Sequence, residues 1–542
     1  MSDRKFSIYL PILLAFTLAA GFLIGRYAFS GKPGGPNGGL FSQTKGYDKF
    51  NDVLNFIDEN YVDTINRSQI TDLAIDDLLQ RLDPHSYYIP ASELQKTNES
   101  LSGNFDGIGV EFNIQKDTIM VINTISGGPA QQKGVQPGDR IVKIDGKNVA
   151  GVHISNNEVF KKLRGKKGTT VKVSVFRKNV KGLINIDIVR DKITEKSLDV
   201  FYMIDRKTAF VKLSKFTGTS FKEFDNASRQ LLKKGMKVMI LDLRGNGGGL
   251  LNTAVKIADE FLAEGKMIVY TQGKSKPKEE YVATSEGLLG NTGVIILIDE
   301  WSASASEILA GAIQDNDRGI VIGRRSFGKG LVQEQAELPD GSALRLTVAR
   351  YYTPTGRCIQ RPYHESIDAY YTDLLNRITD KEAEKKYDSL MKKDSGKKYK
   401  TPKGKVVYGG GGIRPDIMVA LDTSRFPAVF TDVINRGLVN QFGFDYADKN
   451  RESLKRRYTN APTFVRSFQI DAVIWAAFVE LLKKNKVNFT EASLLAAKKD
   501  FDIYIKAFIA RHIVGDEGFY TLIFSQDKVY IQAIREASKM SY

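Results

Sequence analysis

The stretch KVMILDLRGNGGGLLNTAVKIADEFL (237–262) decides the fold. Its first residues, KVMILDLRG (237–245), contain an apolar run of the kind a fully buried strand shows. A Gly-rich turn follows, and then LLNTAVKIADEFL, whose pattern is helical. The same unit recurs downstream. GVIILIDE (293–300) precedes the helical SEILAGAIQ (306–314), and GIVIG (319–323) is a third short strand. Strands alternating with helices predict an α/β core with a largely parallel sheet, placed at residues 191–420.

Working outward, residues 101–190 change character. GIGVEFNI, TIMVINTI, DRIVKIDG, TVKVSVFR and LINIDIVR are short β runs between Gly and Asn turns, interrupted by the helical NNEVFKKLRG (156–165). They predict a small, separate β-rich domain inserted before the core. Residues 47–100 are helical in pattern: Phe50, Val53, Leu54 and Ile57 recur at three- and four-residue steps, and Pro84 in LDPHS breaks the second run. Residues 361–411 include a lysine-rich, weakly apolar stretch that reads as an exposed excursion. Residues 421–542 are helical again, notably AVIWAAFVELLKK (472–484).

At the N-terminus, FSIYLPILLAFTLAAGFLIG (6–25) carries no charge over twenty residues, with Arg4 and Lys5 before it and Arg26 after it. Twenty helical residues rise about 30 Å, one hydrocarbon thickness. Residues 1–30 are therefore expected to be a membrane anchor or, given Ala19, Ala20 and Gly21, a cleaved signal. Residues 31–46, with GKPGGPNGG, are a Gly/Pro linker. Either reading exports the body.

The 542 residues carry a formal charge of +16, one cysteine (Cys358) and four histidines. One cysteine permits no intramolecular disulfide, and this inventory is poor for a metal cluster. The charge alone would suit an anionic partner, but no aromatic-studded basic motif supports nucleic acid.

Four segments could carry chemistry. WSASASEI (301–308) puts serines at a helix N-terminus, where free N–H groups favour a developing oxyanion. The same serines are good helix caps, with Glu307 the reciprocating partner. RSFGKGLVQEQ (325–335) is a Gly turn running into a strand, with Lys329, Leu331 and Gln333 on one face. Buried, Lys329 could serve as a neutral base oriented by Gln333; exposed, it is a solvated turn lysine. RGNGGG (244–249) is an oxyanion or phosphate cradle, or merely a tight βα turn. GNFDGIGVEF (103–112) is a carboxylate-binding loop beside a strand edge, or a plain hairpin turn.

In this order the motifs resemble the carboxyl-terminal processing proteases, tail-specific serine peptidases with an embedded PDZ domain. LDPHSYY (82–88), GIGVEF, GGPAQQKGVQPGDRIVKIDG (127–146), LDLRGNGGG, SASASEI, FGKGLVQ, LRLTVARYYTPTGRCIQ (344–360) and GIRPDI (412–417) carry the resemblance, over roughly residues 45–420. It implies a crotonase-like α/β protease core, a PDZ domain at 101–190, an N-terminal helical segment and a helical C-terminal extension. It implies a Ser-Lys dyad of Ser304 and Lys329, supported by Gln333, with no metal or cofactor. Oxyanion donors would be the N–H groups of Ala305 and of Gly248, or of Gly247, where the family usually has proline. Gly107, Ile108, Gly109 and Val110 would bind the substrate's C-terminal tail, and Arg190 would couple that binding to the active site.

The partners expected are protein tails and, through the N-terminal segment, a membrane. The expected location is the bacterial cell envelope, anchored in the inner membrane with the body in the periplasm, or released there by cleavage. The C-terminal helices are a candidate homo-oligomer surface. Two rivals stand: a catalytically inactive, membrane-tethered PDZ adaptor, and a serine–histidine protease, for which none of His85, His153, His364 and His512 lies in a recognisable motif.

Overall fold

The computed structural model describes residues 48–540 apart from 116, 126, 179, 364–366, 380–388, 390–397 and 422–425. The expected anchor or signal (1–30), the linker (31–46), His364 and most of the lysine-rich stretch lie outside the described residues. Among the described residues no helix is long and apolar enough to cross a membrane. The chain divides into two compact units, residues 1–71 and 72–542. The described part of the first is α1 (Lys49–Asn60) and the start of α2 (Arg67–Gln80). Asp48 caps α1, accepting from the Asn51 N–H at 3.1 Å.

In the second unit, one expectation fails at once. Residues 87–89 are not helical: Tyr87–Ile89 forms β1, which pairs antiparallel with Arg345–Ala343. Aromatic and β-branched residues just after the Pro84 break favour an extended chain, and the pairing strand supplies the register. The helix α3 (Ala91–Ser102) then ends on Gly103 at φ +72°.

The β-rich domain contains β2 (Asn104–Gly107), β3 (Val110–Gln115), β4 (Thr118–Thr124), α4 (Pro129–Gln132), β5 (Arg140–Ile144), β6 (Lys147–Asn148), α5 (Asn156–Leu163), β7 (Thr170–Phe176), β8 (Leu183–Val189) and β9 (Asp191–Thr194). Its sheet runs β3-β4-β5-β7-β8. Alternation decides which face is buried: in β7 Val171, Val173 and Val175 are inside while Lys172 is out. Strands β2 and β9 pair antiparallel, Gly107 opposite Asp191, where the chain enters and leaves the domain.

The core follows as β10 (Leu198–Met203), β11 (Thr208–Leu213), α6 (Ser220–Lys233), β12 (Val238–Asp242), α7 (Leu251–Asp259), β13 (Met267–Gln272), β14 (Glu279–Val282), β15 (Gly293–Ile298), α8 (Ala305–Asp315), β16 (Ile320–Gly323), β17 (Leu331–Glu337) and β18 (Ala343–Tyr352). Beyond it lie α9 (Ile367–Thr379), β19 (Lys398–Lys400), β20 (Val406–Tyr408) and β21 (Ile417–Met418). The main sheet has the order β10-β11-β12-β15-β16-β21, parallel from β11 onward. Strands added in one direction by crossovers of one hand put α6, α7 and α8 on one face. Met239 and Leu241 of β12, and Val294, Ile296 and Ile298 of β15, pack on that face. The residues between them, Val238, Ile240, Ile295 and Leu297, point to the other. A strand buried on both faces reads as a continuous apolar run, as KVMIL and GVIILI do. A second, antiparallel sheet runs β1-β18-β13-β14, with β17 paired to β18.

The C-terminal helices are α10 (Ala428–Asn435), α11 (Leu438–Lys449), α12 (Arg451–Arg457), α13 (Ala461–Ser467), α14 (Ala472–Lys484), α15 (Glu491–Val514), α16 (Asp516–Phe524) and α17 (Lys528–Lys539). Helices α10 to α15 share an aromatic-rich core that includes Phe430, Phe464, Phe478 and Phe501. Phe524 of α16 and Val529, Tyr530, Ala533 and Ala537 of α17 cover the second face of the main sheet. The region read as an exposed excursion is also partly buried. Tyr370 and Leu374, one turn apart on α9, pack with Ala303 and Phe327.

Candidate active site

Ser304 sits where β15 gives way to α8. Its backbone has φ +53° and ψ −111°, outside the regions an L-residue favours. Such a conformation costs about 1–3 kcal/mol and persists only where neighbours fix it. The neighbours are specific. The Ser304 N–H donates to Glu307 Oε2 at 2.9 Å. Its carbonyl accepts from the Glu307 N–H at 2.8 Å and from the Tyr351 hydroxyl at 3.2 Å.

Glu307 does more than cap a helix. Its Oε1 accepts from Ser326 Oγ at 2.5 Å and from the Gly328 N–H at 2.7 Å. Its Oε2 accepts from the Lys329 N–H at 2.9 Å as well as from Ser304. The side chain is wholly buried. Burial pushes its pKa up, and the donors from Ser326, Lys329, Gly328 and Ser304 work against that. One carboxylate thus joins the SASAS loop to the FGKG turn.

Lys329 lies just before β17, and its Nζ donates to Gln333 Oε1 at 2.8 Å. Burial holds the Lys329 pKa below the ordinary lysine value, and the positive charge of Arg345 lowers it further; Asp83 and Glu307 oppose both. Gln333 Nε2 donates to the carbonyl oxygen of His85. That carbonyl is itself set by a local turn, because Asp83 Oδ1 accepts from the His85 N–H at 2.8 Å and the Ser86 N–H at 2.9 Å. The imidazole turns away: His85 Nε2 lies 3.1 Å from the Tyr370 hydroxyl. Burial, then the charge of Lys329, holds its pKa at about 3, so the ring is neutral. The face expected of Lys329, Leu331 and Gln333 is realised for the two polar residues. Leu331 is buried, and a bulge between Val332 and Gln333 interrupts strict alternation.

The Gly-rich turn presses against the serine. A Cβ on Gly248 would stand 2.9 Å from Ser304 Cβ and 2.7 Å from the Ala303 oxygen, so no side chain fits there. The Gly248 N–H, expected as an oxyanion donor, instead donates to Asn246 Oδ1 at 2.9 Å, which leaves the Gly247 alternative. Those of Gly247 and Ala305 have no hydrogen-bond partner among the described residues. Asn246 anchors the turn: Nδ2 donates to the Leu213 carbonyl at 2.9 Å, and its own carbonyl accepts from the Ala303 N–H and from Ser306 Oγ. Sequence reasoning missed Asn246, Tyr351, the His85 carbonyl and the wider reach of Glu307. Only Glu307, three residues after a serine, left a signal.

In the β-rich domain, Ile108 is buried and Gly109 takes φ +74°. Their carbonyls are engaged by the Ala130 and Ile125 N–H groups, while their own N–H groups have no partner among the described residues. Val110 opens β3, and the rings of Phe112 on β3 and Phe160 on α5 meet at 5.3 Å. Arg190 is not at the active site. Its guanidinium donates to the Leu163 carbonyl at 3.0 Å, the Lys162 carbonyl at 2.9 Å and Thr169 Oγ1 at 3.1 Å, at the C-terminal end of α5. Among the described residues no cluster of three or more His, Cys, Asp or Glu is placed to hold a metal ion.

Comparison with known proteins agrees with this architecture. The model of peptidase family S41 matches residues 207–366, that of the PDZ domain residues 107–188, and that of a family of unknown function residues 429–515. The carboxy-terminal-processing protease of Bartonella bacilliformis is 37% identical over 316 residues, 58% of this chain and 72% of that one. Carboxy-terminal processing protease CtpA of Bacillus subtilis is 33% identical over 362 residues, 66% and 76% of the two chains. Among solved structures, a photosystem II D1 C-terminal processing protease is 28% identical with a TM-score of 0.33, covering 57% of this chain and 89% of that one. The protein is a serine-type peptidase with a PDZ domain. It belongs to the carboxy-terminal-processing proteases of family S41.

Proposed function

We propose that the chain cleaves proteins near their C-termini with a Ser304–Lys329 dyad, after its PDZ domain has captured the substrate tail. The supporting observation is the shared Glu307 carboxylate, which ties the backbones of Ser304 and Lys329 together, with Gln333 orienting the lysine amine. Neutral Lys329 removes the Ser304 proton as the oxygen attacks a peptide carbonyl, and returns it to the leaving amine. The free amides of Ala305 and Gly247 receive the oxyanion, with Gly248 giving the close approach. Water then hydrolyses the acyl-enzyme, Lys329 again acting as base. In the PDZ domain the free amides of Ile108 and Gly109 suit a terminal carboxylate, and the edge from Val110 pairs with the tail. Arg190 fastens the end of α5 to the segment where the domain rejoins the core, which suits a coupling role. The parallel main sheet, with α6, α7 and α8 packed on one face, supports the crotonase-like description of the core. The charge-free segment 6–25 supports attachment to, or export across, the inner membrane of a bacterial envelope.

The test is cleavage of an unfolded protein carrying a free apolar tail. Ser304→Ala and Lys329→Ala should each abolish cleavage while the far-UV spectrum stays that of the parent. Turnover comparable to the parent in either variant refutes the dyad. Capping the substrate's C-terminal carboxylate as an amide should raise KM with the dyad intact.

A further inference from the structure

The C-terminal helices play no part in the mechanism above, and the match to a family of unknown function ends at residue 515, before α16 and α17. Yet they touch the Gly-rich turn directly. Arg244 stands three residues before Gly247. Its Nε and Nη2 donate to Asp242 Oδ1 and Oδ2 at 2.9 and 2.8 Å. Its remaining nitrogen, Nη1, donates to Asp527 Oδ2 at 2.7 Å, between α16 and α17. The Phe524 ring lies under the guanidinium, 5.3 Å from centroid to carbon. We infer that Asp527 is a positioning residue of the protease: through Arg244 it holds the Gly-rich turn where the oxyanion donor is needed. The inference rests on the oxyanion reading given above.

Three features carry it. First, charge is balanced only with Asp527 present. Lys212 Nζ lies 3.7 Å from Asp242 and donates to the Arg244 carbonyl at 3.1 Å, so two cations face Asp242 and Asp527. The side chains of Asp242, Arg244 and Asp527 are 0%, 11% and 24% exposed. Removing one partner from such a buried set leaves an uncompensated charge, which draws its segment toward water.

Second, the position of Asp527 is fixed from outside the turn. Its other oxygen, Oδ1, accepts from the Tyr530 N–H at 2.8 Å and caps α17. That helix is locked to the main sheet by Val529, Ala533 and Ala537, and by Tyr530, whose hydroxyl lies 3.1 Å from that of Tyr202. Third, the turn passes displacement on to the serine. The Asn246 carbonyl accepts from the Ala303 N–H at 3.0 Å and from Ser306 Oγ at 2.8 Å, on either side of Ser304. A shift at Arg244 therefore reaches both the donor and the nucleophile.

Truncating α17 would bare an apolar sheet face, so the test uses point variants of the full chain. Asparagine caps a helix as well as aspartate does, so Asp527→Asn removes the charge and keeps α17. Turnover of an internally quenched fluorogenic peptide with a free C-terminal carboxylate is measured, with thermal unfolding alongside. Asp527→Asn should lower kcat about tenfold or more, toward the roughly hundredfold cost of a 1 Å misplacement, with KM within about twofold. Asp527→Glu should recover part of the loss. Gln532→Ala, which removes a hydrogen bond to Glu536 on the same helix without touching Asp527, Arg244 or the sheet face, should leave kcat at the parent value. A parent-like kcat in Asp527→Asn, or an equal fall in Gln532→Ala, overturns the inference. Turnover surviving Ser304→Ala would instead refute the serine assignment, whatever Asp527 does.

Discussion

The backbone amides of Ser304 and Lys329 donate to the same atom, Oε2 of Glu307, each at 2.9 Å. The two amide nitrogens therefore lie no farther apart than twice that distance, although 25 residues separate them in sequence. One loop comes from the parallel sheet and the other leads into the antiparallel one. A single buried carboxylate keeps the two in register.

Glu307→Gln should therefore damage both activity and stability. Glutamine offers one oxygen where four donors now converge, and its NH2 group would face two of them. Each buried donor left without a partner costs about 1–3 kcal/mol. The unfolding free energy should fall by at least about 2 kcal/mol, and turnover should fall too even at temperatures where the variant is folded. Denaturant titration and a cleavage assay on the same preparation check this.

Lys329→Met should be inactive yet no less stable than the parent at pH 7. The folded state holds the Lys329 pKa low, so between that value and the unfolded lysine's ordinary one, only the unfolded chain carries the extra proton. The lysine thus costs stability at neutral pH, and the cost fades as pH rises toward the lysine range. Melting midpoints of parent and variant should converge across that interval. A variant clearly less stable at pH 7 would contradict the burial argument.

Gln333→Glu should move the pH–rate profile to higher pH. A carboxylate against the amine favours the ammonium form and raises the pKa that burial lowers. Because the base must be neutral, the rising limb should shift upward with little change in plateau. The hydrogen-bond removal Gln333→Ala should instead lower the plateau by about tenfold, the worth of roughly 1.4 kcal/mol. Profiles of kcat/KM distinguish the two.

His85→Phe should keep catalysis within a few-fold, since only the main-chain carbonyl of residue 85 meets Gln333. It should also reduce acid sensitivity. The folded ring is held near 3 while the unfolded one takes up a proton near 6.5, so His85 costs stability as pH falls through that window. The variant should lose less stability than the parent between about pH 6.5 and 4. Loss of turnover in His85→Phe would favour a serine–histidine mechanism instead.

Much of this was legible before any coordinates. Runs such as VMIL and VIILI, apolar at every position, announce strands buried on both faces, and SASAS and FGKG announce their turns. Ser304, Lys329 and Gln333 are named only through the likeness of SASASEI and FGKGLVQ to the family's segments; taken alone, the serines read equally as helix caps and the lysine as a solvated turn residue. Asp527 could not be named at all: it meets Arg244 across 283 residues, and nothing local marks a cap residue as a partner for a distant turn. The Tyr351 hydroxyl and the His85 carbonyl were hidden for the same reason, and a main-chain oxygen has no residue type to read. Tyr87–Ile89 lies in a region of helical pattern, and the strand that makes it extended, β18, lies far along the chain.

The central claim is that Lys329 is the base for Ser304. Its most direct test is covalent labelling with a fluorophosphonate, followed across pH and mapped by mass spectrometry. The adduct should form on Ser304, at a rate that rises with pH through one ionisation below the ordinary lysine value, and should vanish in Lys329→Ala. An adduct on another residue, or undiminished labelling of Ser304 without the lysine, would contradict it.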